Sequence, residues 1–86
     1  MPIAYVLINS DLGTDVIIIK KIKEILTSRN DVQYEIQGVY GVYDIIVKLS
    51  STSSEVLRSI ITNKIRKIKN IQSTLTMTVI EKEEGS

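Results

Sequence analysis

Residues Ile3 to Asn9 are apolar on both alternating sets, Ile3, Tyr5 and Leu7 on one and Ala4, Val6 and Ile8 on the other. A strand sends successive side chains to opposite faces, so a run with no polar set has no side to turn toward water. Such a strand belongs in the middle of a sheet, with partners on both edges and cover on both faces. The rest of the chain has to supply those neighbours.

Ser10 to Asp15, with Gly13 among short polar residues, reads as a loop into a helix. From about Thr14 to Ser28, Ile18, Ile19, Ile22, Ile25 and Leu26 form a helical stripe opposite Lys20, Lys21, Lys23 and Glu24. Ile17 projects into the polar arc and Val16 sits at its border, so the first turn is either simply exposed or covered by another subunit or a ligand. After Asn30-Asp31, Val32, Tyr34 and Ile36 alternate with Gln33, Glu35 and Gln37 as a half-buried strand. Gly38 marks a bulge or a close backbone approach. The stretch Tyr40-Gly41-Val42-Tyr43-Asp44 then joins this strand to Tyr43, Ile45, Val47 and Leu49, and Gly41-Val42 suits the corners of a tight hairpin.

Thr52 and Glu55 have the spacing of a capping box, so a second helix is expected from there to about Ile68. Its stripe is Leu57, Ile60, Ile61, Ile65 and Ile68, with Lys64 in the middle of the apolar arc. Lys64 is either a lysine whose stem covers apolar surface or an ammonium aimed at a carboxylate of a ligand or neighbouring chain. Leu75, Met77 and Val79 alternate with Thr74, Thr76 and Thr78, giving a last strand with one apolar and one hydroxyl face. Residues 1–81 read as one domain and 82–86 as a charged tail.

The order strand, helix, strand, strand, helix, strand, with Val32-Gln33 recurring as Ile71-Gln72 in the second half, is the α+β, ferredoxin-like βαββαβ plan. It predicts a four-stranded antiparallel sheet with both helices on one face, and right-handed crossovers put the first and third strands in the centre. The other face is then open yet aliphatic, which predicts a homodimer closing sheet on sheet in the manner of a dimeric α/β-barrel. A chain of 86 residues buries only roughly 60 to 65% of its unfolded surface by itself, and association adds to that.

Composition narrows the function. With no Cys and no His, disulfides, thiolate metal sites and the commonest general base are absent, and no cofactor is expected. Lys and Arg number 11 against 10 Asp and Glu, a net charge of +1, so no basic field favours direct nucleic-acid binding. Neither a signal peptide nor a membrane span is legible, and a cytoplasmic location is the expectation.

Val39-Tyr40-Gly41-Val42-Tyr43-Asp44 with its aliphatic sequel, then Lys64-Ile65-Arg66-x-Ile68 and Ser73-Thr74-Leu75-Thr76-Met77, resembles the effector-binding domain of the Lrp/AsnC family of transcriptional regulators. The likeness runs from Ala4 to Glu81 and is to members that stand alone, without a helix-turn-helix domain. It implies a ferredoxin-like domain that dimerises through its sheet and assembles into rings of dimers such as an octamer, with amino acid effectors bound between dimers near the hairpin. Carried over, Tyr40, Gly41, Val42 and Tyr43 line the pocket, Asp44 accepts from the effector's ammonium, and Thr74 or Thr76 meets its carboxylate. Without a domain that reads DNA, such a module acts by titrating its effector or by joining a DNA-binding Lrp/AsnC-like regulator. Two other classes compete: a small enzyme of the dimeric α/β-barrel kind, disfavoured because acid-base work would fall to Asp44, a Tyr or a Lys, and a structural oligomerisation module with no ligand.

Overall fold

The computed structural model describes residues 1–80; Glu81 and the tail expected at 82–86 lie outside the described residues. The elements are β1 (Ile3–Ser10), α1 (Asp15–Thr27), β2 (Val32–Gly38), β3 (Ile45–Ser51), α2 (Ser54–Asn63), a 3₁₀ turn (Ile65–Lys67) and β4 (Ile71–Thr78). The sheet runs β2-β3-β1-β4, and every neighbouring pair is antiparallel. This is the ferredoxin-like plan expected from the element order, with the doubly apolar β1 in the interior beside β3.

One core lies between the sheet and both helices. Ala4, Val6 and Ile8 of β1 and Ile45, Val47 and Leu49 of β3 meet Ile18, Ile22 and Leu26 of α1 and Leu57, Ile60 and Ile61 of α2 in a single buried cluster. Each of the larger aliphatic side chains is worth about 1.5 to 3 kcal/mol when taken fully out of water. α1 packs against β2, while α2 packs over β3 and β1. Both helices therefore share a face. On the opposite face Tyr5, Leu7 and Ile46 remain only half-buried, and Leu75 and Met77 are each 46% exposed.

Three local expectations are corrected. α2 stops at Asn63 instead of running to Ile68, because the chain tightens: Lys67 N–H donates to the Lys64 carbonyl at 3.4 Å and Ile68 N–H to that of Ile65 at 3.1 Å. The tighter turn rotates Ile65 fully into the core and leaves Lys64 exposed at the break, outside the apolar arc. The helix cap is Ser53, not Thr52: Ser53 has an extended backbone and its Oγ accepts from Val56 N–H at 3.3 Å. The buried Ser51 explains the choice, since its Oγ donates to the Asp31 carbonyl at 2.8 Å and accepts from Ser53 N–H at 3.3 Å, fixing where the helix begins. The register break falls between Asn9 and Ser10 in the β1–β4 pair rather than at Gly38, and a Cβ on Gly38 would meet its neighbours only at ordinary contact distance.

Candidate functional site

The connection between β2 and β3 is longer than a two-residue turn. The last paired residues are Gly38 and Ile45, after which Val39 N–H donates to the Asp44 carbonyl at 2.8 Å and closes a loop of Tyr40, Gly41, Val42 and Tyr43. Gly41 has φ +143, and a Cβ there would find open space. Conformation alone asks for glycine at that point. Tyr40 and Val42 stand free of the fold at 106% and 84% exposure, whereas Tyr43 and Asp44 are half-buried.

Asp44 is held from two sides. Its N–H donates to the Ile8 carbonyl at 2.9 Å, and its Oδ2 accepts from the Ser10 backbone N–H at 2.8 Å and the Ser10 hydroxyl at 3.2 Å. Ser10 lies where the β1–β4 register shifts, so the carboxylate satisfies an amide at the frayed end of the ladder. Both of these bonds fall on one oxygen, and Oδ1 has no protein partner among the described residues.

The loop and the start of α1 flank an open cleft of about 420 Å³ lined by Ser10, Asp11, Asp15, Tyr40, Asp44 and Gln72, among others. Among the described residues three carboxylates and no Lys or Arg line it, an environment that suits a cationic group. Asp11 is tied to the start of β4, its N–H donating to the Asn70 carbonyl at 2.8 Å. Asn70 adopts φ 75, a left-handed conformation that asparagine tolerates better than most residues. Among the described residues no group of His, Cys, Asp and Glu is arranged to hold a metal ion.

Thr76 and Thr78 lie elsewhere. Thr74, Thr76 and Thr78 pair with Ile8, Val6 and Ala4, so the hydroxyl face of β4 is on the helix side of the sheet and the apolar face is on the open side. Thr74 is half-buried. Thr76 and Thr78 line a second cavity, of about 240 Å³, with Leu57, Arg58, Ile61 and Arg66. Asp44 lies beside Ser10, whereas Thr76 is opposite Val6, four strand residues and therefore roughly 13 Å away. Within one chain a small amino acid does not touch both. Lys64 lines neither cavity. Ile17, 57% exposed, borders a shallow groove with Lys21, Lys67 and Lys69.

Sequence reasoning missed Ser10, Asp11, Asp15, Arg58 and Arg66. Thr62 also lines the second cavity, and Arg58 and Thr62 carried a usable signal, since four-residue spacing puts both on one flank of α2 beside its apolar stripe. Ser10 carried none, because its role depends on a register break.

These features define a class: a small ferredoxin-like domain with a half-covered apolar sheet and two polar-rimmed cavities along its outer strand. Residues 3–84 match the family model of the Lrp/AsnC ligand binding domain, and the chain belongs to that family. Among solved structures, FFRP-DM1 is 35% identical with a TM-score of 0.76, the match covering 93% of this chain and 100% of that one. The hypothetical protein PHS023 from Pyrococcus horikoshii is 34% identical with a TM-score of 0.72, over 99% of this chain and 96% of that one. AsnC of E. coli is 27% identical with a TM-score of 0.73; 94% of this chain matches 52% of that longer protein. A comparison with curated proteins gives no match.

Proposed function

We propose that this chain is a non-enzymatic regulatory module that binds an amino acid or a closely related small metabolite and couples that binding to assembly with further copies. Membership of the ligand-binding family supports a ligand. The observation that carries the site is Asp44, oriented by Ser10 through one oxygen and free on the other, at the edge of a carboxylate-lined cavity. A carboxylate already fixed by protein donors loses little entropy when it meets an ammonium. The loop Tyr40 to Tyr43 stands out from the fold with large exposed side chains, as a surface closed by a neighbouring copy would. The separation of Asp44 from Thr76 argues the same way, since residues too far apart in one chain can share a small ligand where two chains meet; Thr76 of a second chain, or Thr74, is then the group that receives its carboxylate.

The proposed dimer closes the open sheet face over Tyr5, Leu7, Ile46, Leu75 and Met77, and dimers associate further through the hairpin end and the exposed first turn of α1 at Ile17. Both helices of the described residues are spent on covering the sheet, and in this reading a DNA-binding Lrp/AsnC-like partner, or titration of the effector, carries any transcriptional control.

A thermal-shift screen of the amino acids tests the reading. Ligand binding to the native state alone raises stability by about 2.7 kcal/mol at a hundredfold excess over Kd, which in a domain of this size moves the melting temperature by roughly ten degrees or more. Asp44→Asn keeps an acceptor for Ser10 and removes the charge, so it should retain the fold and lose the shift. A panel in which no compound moves the melting temperature defeats the proposal.

A further inference from the structure

The cavity beneath the outer edge of α2 has a different chemistry from the hairpin end. Because α2 packs chiefly over β3 and β1, a groove is left between its outer flank and the helix side of β4. Leu57 and Ile61 provide its apolar floor, Thr76 and Thr78 its hydroxyl wall, and Arg58 and Arg66 its rim. Among the described residues no acidic side chain lines it. Among the described residues neither arginine makes a hydrogen bond or ion pair, whereas Arg29 and Lys48 each have a carboxylate partner. Even Glu55, one turn before Arg58 on the same helix, makes no ion pair with it.

Two guanidinium groups beside hydroxyl donors and an apolar floor are matched by an oxyanion on a short hydrocarbon stem. A guanidinium binds a carboxylate through two parallel hydrogen bonds, and the threonine hydroxyls supply further donors. Ser54 also lines the groove, at the positive end of the α2 dipole, which favours the same sign of ligand charge. About 240 Å³ is below the ~300 to 1,000 Å³ of drug-sized pockets and restricts the occupant to a small metabolite. A polyanion is a poor fit for so confined a space on a chain of net charge +1.

We infer that the α2–β4 groove binds the anionic end of a small acidic ligand, an acidic amino acid or a dicarboxylate of similar length, through Arg58 and Arg66. This rests on the reading of the chain as an effector-binding module and names the effector's chemical class: one with a negatively charged side group.

Calorimetry and thermal shift on the full chain test it with L-glutamate, L-aspartate and glutarate against L-glutamine, L-leucine and inorganic phosphate. The acidic compounds should bind and raise the melting temperature, and glutamine, matched in shape but uncharged, should not. Arg58→Met and Arg66→Met, both at exposed positions, should leave the fold intact by circular dichroism and weaken glutamate binding roughly tenfold or more each, the size of a lost hydrogen bond to a charged group. Arg58→Lys, which keeps the charge without the fork, should fall between. If glutamine or leucine binds as tightly as glutamate, the acidic class is wrong while the effector module stands. Phosphate equal to glutamate overturns the stem, and arginine variants that bind glutamate normally overturn the groove. Silence from every amino acid and dicarboxylate removes the effector reading as well.

Discussion

β2 and β4 are topological equivalents, each the outer strand of one strand-helix-strand half, yet they present opposite surfaces to the open side of the sheet. On β2 that side carries Gln33, Glu35 and Gln37, and Glu35 reaches Lys48 of β3 at 3.7 Å. On β4 it carries Leu75 and Met77, opposite Leu7 and Tyr5 of β1. Polar residues let β2 sit at an edge in water, and charge there discourages unwanted pairing. The β4 half is apolar on the uncovered side and hydroxyl-rich on the side that faces the flank of α2 across a groove. The same topological role thus yields one edge finished within the chain and one that calls for a second molecule.

The largest expected effect tests that asymmetry. Leu75→Asp with Met77→Asp should weaken the proposed dimer roughly a hundredfold or more, because carboxylates without partners are costly to bury; light scattering after size exclusion reads the mass directly. Gln33→Asp with Gln37→Asp is the counterpart on β2 and should leave the mass unchanged, and a dissociated β2 variant would extend the interface across the whole face. Next in size, Glu35→Ala removes a pair whose side chains are 70% and 40% exposed. Chemical denaturation should register a loss of about 0.2 to 1 kcal/mol, shrinking in high salt, with no change in assembly.

Smallest is the pair at the entry to β2, where Arg29 Nη2 lies 2.8 Å from Asp31 Oδ2. The hydrogen bond from Arg29 holds the Asp31 carboxyl below its ordinary value. A depressed carboxyl contributes stability above its unfolded pKa and loses it as the pH falls through the folded value. The melting temperature of Asp31→Asn should therefore fall slightly short of the unsubstituted chain at neutral pH, and the gap should close in strong acid. A gap that widens in acid would contradict this sign.

Much of the architecture was legible before any coordinates. The alternation of Val32, Tyr34 and Ile36 and the stripe of Ile18, Ile22 and Leu26 named both the element and its buried face, because burial and period are coupled wherever one side meets a core. The site was less legible. The hydroxyl cluster from Ser50 to Ser54 offers several plausible caps, and Ser53 is used because Ser51 is anchored to the Asp31 carbonyl across the sheet. The hairpin was placed correctly between β2 and β3, but a two-residue turn at Gly41-Val42 was expected, and the four-residue loop follows from which residues last pair across those strands.

The order of elements, the interior place of β1 and the apolar character of one side of β4 are written in the chain itself, since side-chain periodicity and hydrophobicity act over a few residues at a time. The joining of Asp44 to Ser10, the turning of the threonines toward α2 and the gathering of Arg58, Arg66 and Thr76 around one groove were decided only by tertiary structure. Those meetings bring together residues far apart in the chain, through strand register and the reach of a helix over its sheet, and no local pattern encodes either.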